Sequence, residues 1–189
     1  MPIPHNLDQL WTGHAYVRVY HPYRVAGEKN PAFNDLDAQI LDLKEGIDSA
    51  VDAAVRDFAD AIAHTSALPP STILSIVPGS VASDSNEPRP MARVAHALAR
   101  ALAPRSRFFA RPDTLRRHMT IDKLARGGAR FEQVHLDSIR VTAPRMVRGA
   151  TVLLLDDVAS TGNSIRACRR LLREAGADRV AAIALGQTE

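Results

Sequence analysis

Thr151-Val-Leu-Leu-Leu-Asp-Asp-Val-Ala-Ser-Thr-Gly-Asn-Ser164 is the stretch whose reading decides the fold. Residues 152–155 form an unbroken apolar run, the pattern of a strand buried on both faces of a parallel sheet. Two carboxylates, Asp156 and Asp157, follow at the carboxyl end of that strand. Small and hydroxylated residues come next: Ala159, Ser160, Thr161, Gly162, Asn163 and Ser164. The pattern then predicts a helix to about Ala175. Ile165, Cys168, Leu172 and Ala175 fall on one face, and Arg166, Arg169, Arg170 and Arg173 on the other.

Strand, acidic pair, small-residue loop and helix start, in that order, suit a phosphorylated sugar. The unpaired amides and positive end of a helix favour a phosphate dianion. Gly162 lets backbone approach the phosphate, and the hydroxyls of Ser160, Thr161 and Ser164 can donate to it. Asp156 and Asp157 would repel a phosphate lying directly on them. They suit sugar hydroxyls, or a magnesium ion held through water, on the neighbouring part of the ligand. The plainer alternative is a capped helix after a buried strand, with two solvated aspartates. The combination in one order argues for the ligand site.

The run from Leu153 to Ser164 resembles the signature of the type I phosphoribosyltransferases: apolar residues, two acidic residues, then a Thr-Gly loop. The resemblance implies that Ala159, Ser160, Thr161, Gly162, Asn163 and Ser164 hold the 5′-phosphate of phosphoribosyl pyrophosphate (PRPP). It implies that Asp156 and Asp157 contact the ribose 2′- and 3′-hydroxyls, and that Mg²⁺ arrives with PRPP. It also implies an open, mostly parallel five-stranded α/β sheet with an N-terminal hood over the acceptor.

Composition agrees with one ordinary globular domain. The chain has 189 residues, 46% hydrophobic and 24% charged, with a net charge of +3 that only weakly favours anionic ligands. A single cysteine, Cys168, excludes an intramolecular disulfide and a cysteine-based zinc site. No apolar run approaches a membrane span, and the first residues lack the basic start and apolar core of a signal peptide, so a cytoplasmic protein is expected.

Before the signature, residues 1–13 read as a loose arm and 15–20 as an edge strand. Tyr16, Tyr20, His21 and Tyr23 are expected to form a small satellite core, or else a base-facing surface. Residues 37–63 carry helical periodicity, divided by Gly46. Residues 72–77 are the first core strand, ending in Pro78, Gly79, Ser80 and Val81. By resemblance that loop binds pyrophosphate, with Arg89 or Arg93 in reach. A helix over 90–103 and strands at 107–110 and 138–141 follow. We expect 1–70 to be arm and hood, not an independent domain, and 71–189 to be the α/β core.

The long connection after the second strand corresponds to the flexible loop that closes over the reacting centre in the resembled family, with Gly127-Gly128 as a hinge. Within it Arg117, Thr120, Lys123, Leu124 and Arg130 fall at spacings similar to the ComF-like competence proteins, and the chain resembles ComF-like and amidophosphoribosyltransferase-like members most. The ComF-like proteins usually carry Gln where this chain has Lys123, and often an N-terminal cysteine zinc module that is absent here. Lys123 is the expected loop cation, placed to neutralise departing pyrophosphate. His135 and Asp137 are a further candidate pair.

The expected activity is transfer of ribose 5-phosphate from Mg-PRPP to a nitrogen nucleophile, a nucleobase or ammonia, or the reverse. Two other readings stand beside it: a catalytically silent regulator that senses PRPP or a nucleotide, and a ComF-like accessory protein acting with single-stranded DNA. No recognised DNA-binding element is visible in the sequence, which counts against the regulator as a sequence-specific one. The family is commonly homodimeric, so a homodimer is expected.

Overall fold

A computed structural model describes residues 4–65, 68–69, 71–82, 89–103, 107–121 and 132–188. In chain order the elements are β1 (Ala15–Tyr20), the ribbon β2 (Arg24–Val25) and β3 (Glu28–Lys29), α1 (Asp35–Lys44), α2 (Asp48–Ala63), β4 (Ser71–Ile76), α3 (Pro90–Leu102) and β5 (Arg107–Ala110). Then come β6 (Leu115–Arg117), α4 (Glu132–Ser138), β7 (Ile139–Val141), α5 (Pro144–Val147), β8 (Thr151–Ala159), α6 (Asn163–Glu174) and β9 (Arg179–Thr188).

Five strands form one parallel sheet in the order β1-β9-β8-β4-β5. β8 lies near its middle, which is why residues 152–155 are fully buried. Leu153 and Leu155 join a core with α1, α2 and α3, and Val152 and Leu154 join a second core with α6 and α5. The helical periodicity over 37–63 resolves into two helices, and Gly46 between them holds a left-handed φ of +79°.

The fold class is the expected one, but one strand of the five differs. Residues 139–141 leave the sheet and pair antiparallel with β6 in a separate ribbon. Their Ile-Arg-Val sequence puts exposed Arg140 in the middle, which suits a ribbon with one wet face and not a strand buried on both. β1 takes the fifth place, as the edge strand parallel to β9.

Over residues 4–13 the arm is not loose. Residues 7–9 form a 3-10 turn, Leu10 is buried, and the Ala182 amide donates to the Leu10 carbonyl at 3.0 Å. The aromatic residues divide among three places. Tyr16 stacks on His5, Tyr20 enters the core, and Tyr23 meets Phe33 edge-on beside the ribbon β2–β3.

β4 has β8 on one side and β5 on the other, so the chain direction across the sheet reverses between β4 and β8. Such a point opens a crevice outside the strands' carboxyl ends. There the Val77 amide donates to the Leu155 carbonyl at 3.0 Å, which sets the 78–81 loop beside Asp156.

Candidate functional site

β8 does not stop at Leu155. It continues along β9 with Asp156 opposite Ala184, Val158 opposite Gly186 and Ala159 opposite Gln187, so the acidic pair lies within the strand. Asp156 is buried and Asp157 half-buried. Burial, and then the neighbouring Asp157, hold the Asp156 carboxyl well above the usual carboxylate range. Asp157 accepts the Val158 amide at 2.6 Å and faces the Lys44 ammonium, on the last turn of α1, at 3.4 Å. No local pattern marks Lys44, because the contact crosses more than a hundred residues.

The turn over 160–162 joins β8 to α6. Gly162 adopts φ +71° as the residue before the helix, and no side chain caps the helix. Among the described residues, the amides of Thr161, Gly162 and Ser164 have no acceptor, and the hydroxyls of Ser160, Thr161 and Ser164 have no partner. The Ser160 carbonyl accepts from Gln187 Nε2 at 2.8 Å. The result is a set of outward donors at a helix start, matched to an anion.

The 78–81 loop is built differently. Arg117 is only 2% exposed. Its Nε donates to the Gly79 carbonyl, its Nη1 to Ser138 Oγ, and its Nη2 to the Pro78 carbonyl at 3.4 Å. In a trans peptide the N–H points opposite the carbonyl. Drawing the Gly79 carbonyl inward therefore turns the Ser80 amide out, and no acceptor faces the amides of Gly79, Ser80 or Val81 among the described residues. The Ser80 carbonyl and Ala82 amide tie the loop to Ile121 and Thr120, at 2.9 Å each. Described peptide bonds include no cis bond.

Arg117 is thus corrected from a flexible-loop residue to a buried strut in β6. Its signal was present: it lies two residues after Leu115, on the same face of a strand. Arg169 is corrected as well. It is buried, not solvent-facing, and donates to the carbonyls of Trp11 at 2.7 Å, Leu10 at 3.3 Å and Gly13. Desolvation lowers its pKa to about 10. Four residues after Ile165 and three before Leu172, it lay on the apolar stripe of α6.

His135 contacts Arg117 Nη2 at 3.3 Å while Asp137 accepts from Gln133, so those two do not pair. Burial, and then Arg117, lower the His135 pKa. Arg89 pairs with Asp113, and Arg93 with Asp48 and the Gly46 carbonyl, so both are engaged away from the 78–81 loop. Lys123, Arg130 and the Gly127-Gly128 pair lie outside the described residues. No group of three or more His, Cys, Asp or Glu converges as a metal cage among the described residues, and no described helix is long and apolar enough to cross a membrane.

Among solved structures, the chain is similar to hypoxanthine phosphoribosyl transferase of Trypanosoma cruzi, at 14% identity and a TM-score of 0.42, covering 76% of this chain and 66% of that one. It is also similar to hypoxanthine phosphoribosyltransferase of Staphylococcus aureus, at 10% identity and a TM-score of 0.35, covering 79% of this chain and 74% of that one. The chain thus spans slightly less than two thirds of the Trypanosoma chain. No curated protein matches it. The family model of the phosphoribosyl transferase domain matches residues 92–187, from α3 through the acidic pair and α6 to β9. That is half of the sequence, and the chain belongs to the phosphoribosyl transferase domain family.

Proposed function

We propose that this chain is a pentosyltransferase that binds Mg-PRPP and transfers ribose 5-phosphate to a nitrogen nucleophile, a nucleobase or ammonia, or runs the reverse reaction. One observation carries the reading. An acidic pair, Asp156 buried and Asp157 half-buried, stands at the switch point between two sets of amides, those of Gly79, Ser80 and Val81 and those of Thr161, Gly162 and Ser164, that have no acceptor among the described residues. That spacing of donors, acids and donors matches a molecule with a phosphate at one end, hydroxyls in the middle and a diphosphate at the other.

The roles follow. Amides and hydroxyls of residues 159–164 fix the 5′-phosphate. Asp156 and Asp157 accept hydrogen bonds from the ribose hydroxyls, and their charge stabilises positive charge developing at the anomeric carbon. The amides of Gly79, Ser80 and Val81, in the loop that Pro78 opens, hold the pyrophosphate. The bond from the anomeric carbon to the pyrophosphate oxygen breaks, and pyrophosphate leaves with its electron pair. The nitrogen lone pair forms the new bond, and the nitrogen's proton passes to solvent. The chain's contribution is positioning and preorganised charge. Asp156 and Asp157 are hard oxygen donors that would hold Mg²⁺ through water, and the ion would neutralise charge on the diphosphate.

Lys123 and Arg130 are the cations we assign to closure over the pyrophosphate. Within the family we place the chain nearest ComF-like and amidophosphoribosyltransferase-like members, on the spacing of Arg117, Thr120, Lys123, Leu124 and Arg130. A cytoplasmic homodimer is the form we propose on the resemblance. The test is pyrophosphate release from PRPP and Mg²⁺ with a panel of nucleobases and ammonia. Wild-type turnover that falls at least a hundredfold in the Asp156→Asn/Asp157→Asn variant supports the assignment. Equal turnover in both would remove the acidic pair from the site.

A further inference from the structure

We infer that His14, on the N-terminal arm, is a further ligand of the 5′-phosphate, and that phosphate binding draws a proton onto its Nδ1. This rests on the phosphoribosyltransferase reading and extends it to a residue outside the family match, which begins at residue 92.

The arm is fixed before His14 is reached. Arg169 binds three arm carbonyls, and the Arg179 guanidinium lies 3.7 Å from the Trp11 ring centroid. His14 therefore enters β1 from an anchored backbone, and its ring sits against the 160–162 turn. A Cβ built on Gly162 would lie 3.3 Å from His14 Cε1 and 3.5 Å from Nδ1.

The hydrogen bonds assign the tautomer. Gln187 Nε2 donates to the carbonyls of Ser160 and Thr188, each at 2.8 Å, so its Oε1 is the atom turned to His14. An amide oxygen only accepts. His14 Nε2, 2.6 Å from that oxygen, therefore carries the hydrogen. In the neutral ring this leaves Nδ1 as a lone pair, with no partner among the described residues, facing the turn whose amides are outward donors. A lone pair there repels a phosphate dianion. A protonated Nδ1 is a charged donor to it.

The surrounding charges make the proton conditional. Arg166 Nη1 lies 3.4 Å from the same Cβ position, and Arg169 holds the Gly13 carbonyl next to His14. Both oppose a second positive charge. Glu132 is occupied with Arg166 at 3.7 Å, and Arg166 also donates to Asn163. Tyr16 stands 6.5 Å away with His5 stacked beyond it. No carboxylate touches His14 among the described residues. The bound dianion supplies the negative charge that admits the proton.

The test is titration calorimetry of Mg-PRPP into wild type and His14→Gln, in buffers of different ionisation enthalpy, between about pH 6 and 8, the range where an imidazole titrates. The comparison cancels protons exchanged by the ligand itself. The expected result is extra proton uptake by wild type, and wild-type affinity that falls about tenfold more than the variant's as pH rises through that range. Equal uptake and parallel pH profiles, with binding retained, would overturn the role of His14 and leave the phosphoribosyltransferase reading intact. Absence of Mg-PRPP binding by wild type would overturn both. Nitrogen NMR of the wild-type His14 ring removes dependence on the variant: Nδ1 gains its hydrogen on adding Mg-PRPP, and an unchanged lone-pair signal overturns the inference.

Discussion

The two loops that flank the acidic pair present the same kind of surface, outward backbone amides, and reach it by opposite routes. The 160–162 turn is shaped locally: a buried strand, a glycine at φ +71° and a helix that starts without a side-chain cap. The 78–81 loop is shaped from a distance, by Arg117 drawing in the Pro78 and Gly79 carbonyls from nearly forty residues along the chain. A locally built site depends on one backbone angle. A remotely built one depends on a buried cation and on every element that positions it.

The largest expected effect tests the remote route. Arg117→Leu leaves the carbonyls of Pro78 and Gly79 and the Ser138 hydroxyl without a buried donor. We expect a loss of about 3 kcal/mol in urea unfolding, the order of a removed buried charged donor. Binding of inorganic pyrophosphate with Mg²⁺ should weaken at least tenfold, while ribose 5-phosphate, which we assign to the other loop, should lose little. An Arg117→Lys variant that recovers stability but not pyrophosphate affinity would assign Arg117 to orienting the loop rather than filling the core.

Gly162→Ala tests the local route and should cost less, about 1–2 kcal/mol for a left-handed φ with a Cβ. The new Cβ also meets His14 at 3.3 Å, so the ring must give way by a few tenths of an ångström. Here the probes should exchange places: ribose 5-phosphate binding weakens and pyrophosphate binding holds. If both variants impair both ligands equally, the two loops are one cooperative unit and the contrast between them disappears.

The same contrast governs what could be read from the sequence. The apolar run over 152–155 and the division of the helix at Gly46 are local patterns found where they were expected, whereas the acidic pair and Ala159, expected after the strand, lie within it. Residues 139–141 had the right β-branched residues for a core strand but lacked the continuous apolar run that a strand buried on both faces requires. The length of its connection put Arg117 in a flexible loop and charge put Arg169 on a solvent face, although period two and period 3.6 each placed them on apolar faces. Their compensation is a set of backbone carbonyls from segments remote in sequence, and no residue type advertises a carbonyl. Lys44 and His14 reach the site through sheet topology alone: β1 lies beside β9, and α1 packs over the same edge. The acids of the candidate site stand out in the sequence as a local pattern, and the part contributed by the N-terminal segment does not.

Asp156 sets the smallest effect and the one with the least obvious sign. Its folded-state pKa is raised, by burial first and by Asp157 second. In the unfolded chain the same carboxyl titrates near the ordinary value. Between those two pKa values the folded protein holds a proton that the unfolded chain has lost, so stability falls as pH rises through that window. Asp156→Asn keeps the shape and the neutral state without the titration. It should therefore raise the melting temperature near neutral pH by a few degrees, about 1 kcal/mol in a domain of this size, while weakening PRPP binding. The gain should vanish as the pH falls toward the ordinary carboxylate pKa, where the wild-type side chain is protonated in both states. A variant less stable than wild type at neutral pH would mean that the Asp156 charge is already compensated, with Lys44 the nearest cation to supply it. The acidic pair would then be a structural ion-pair network rather than strain held in reserve for a ligand.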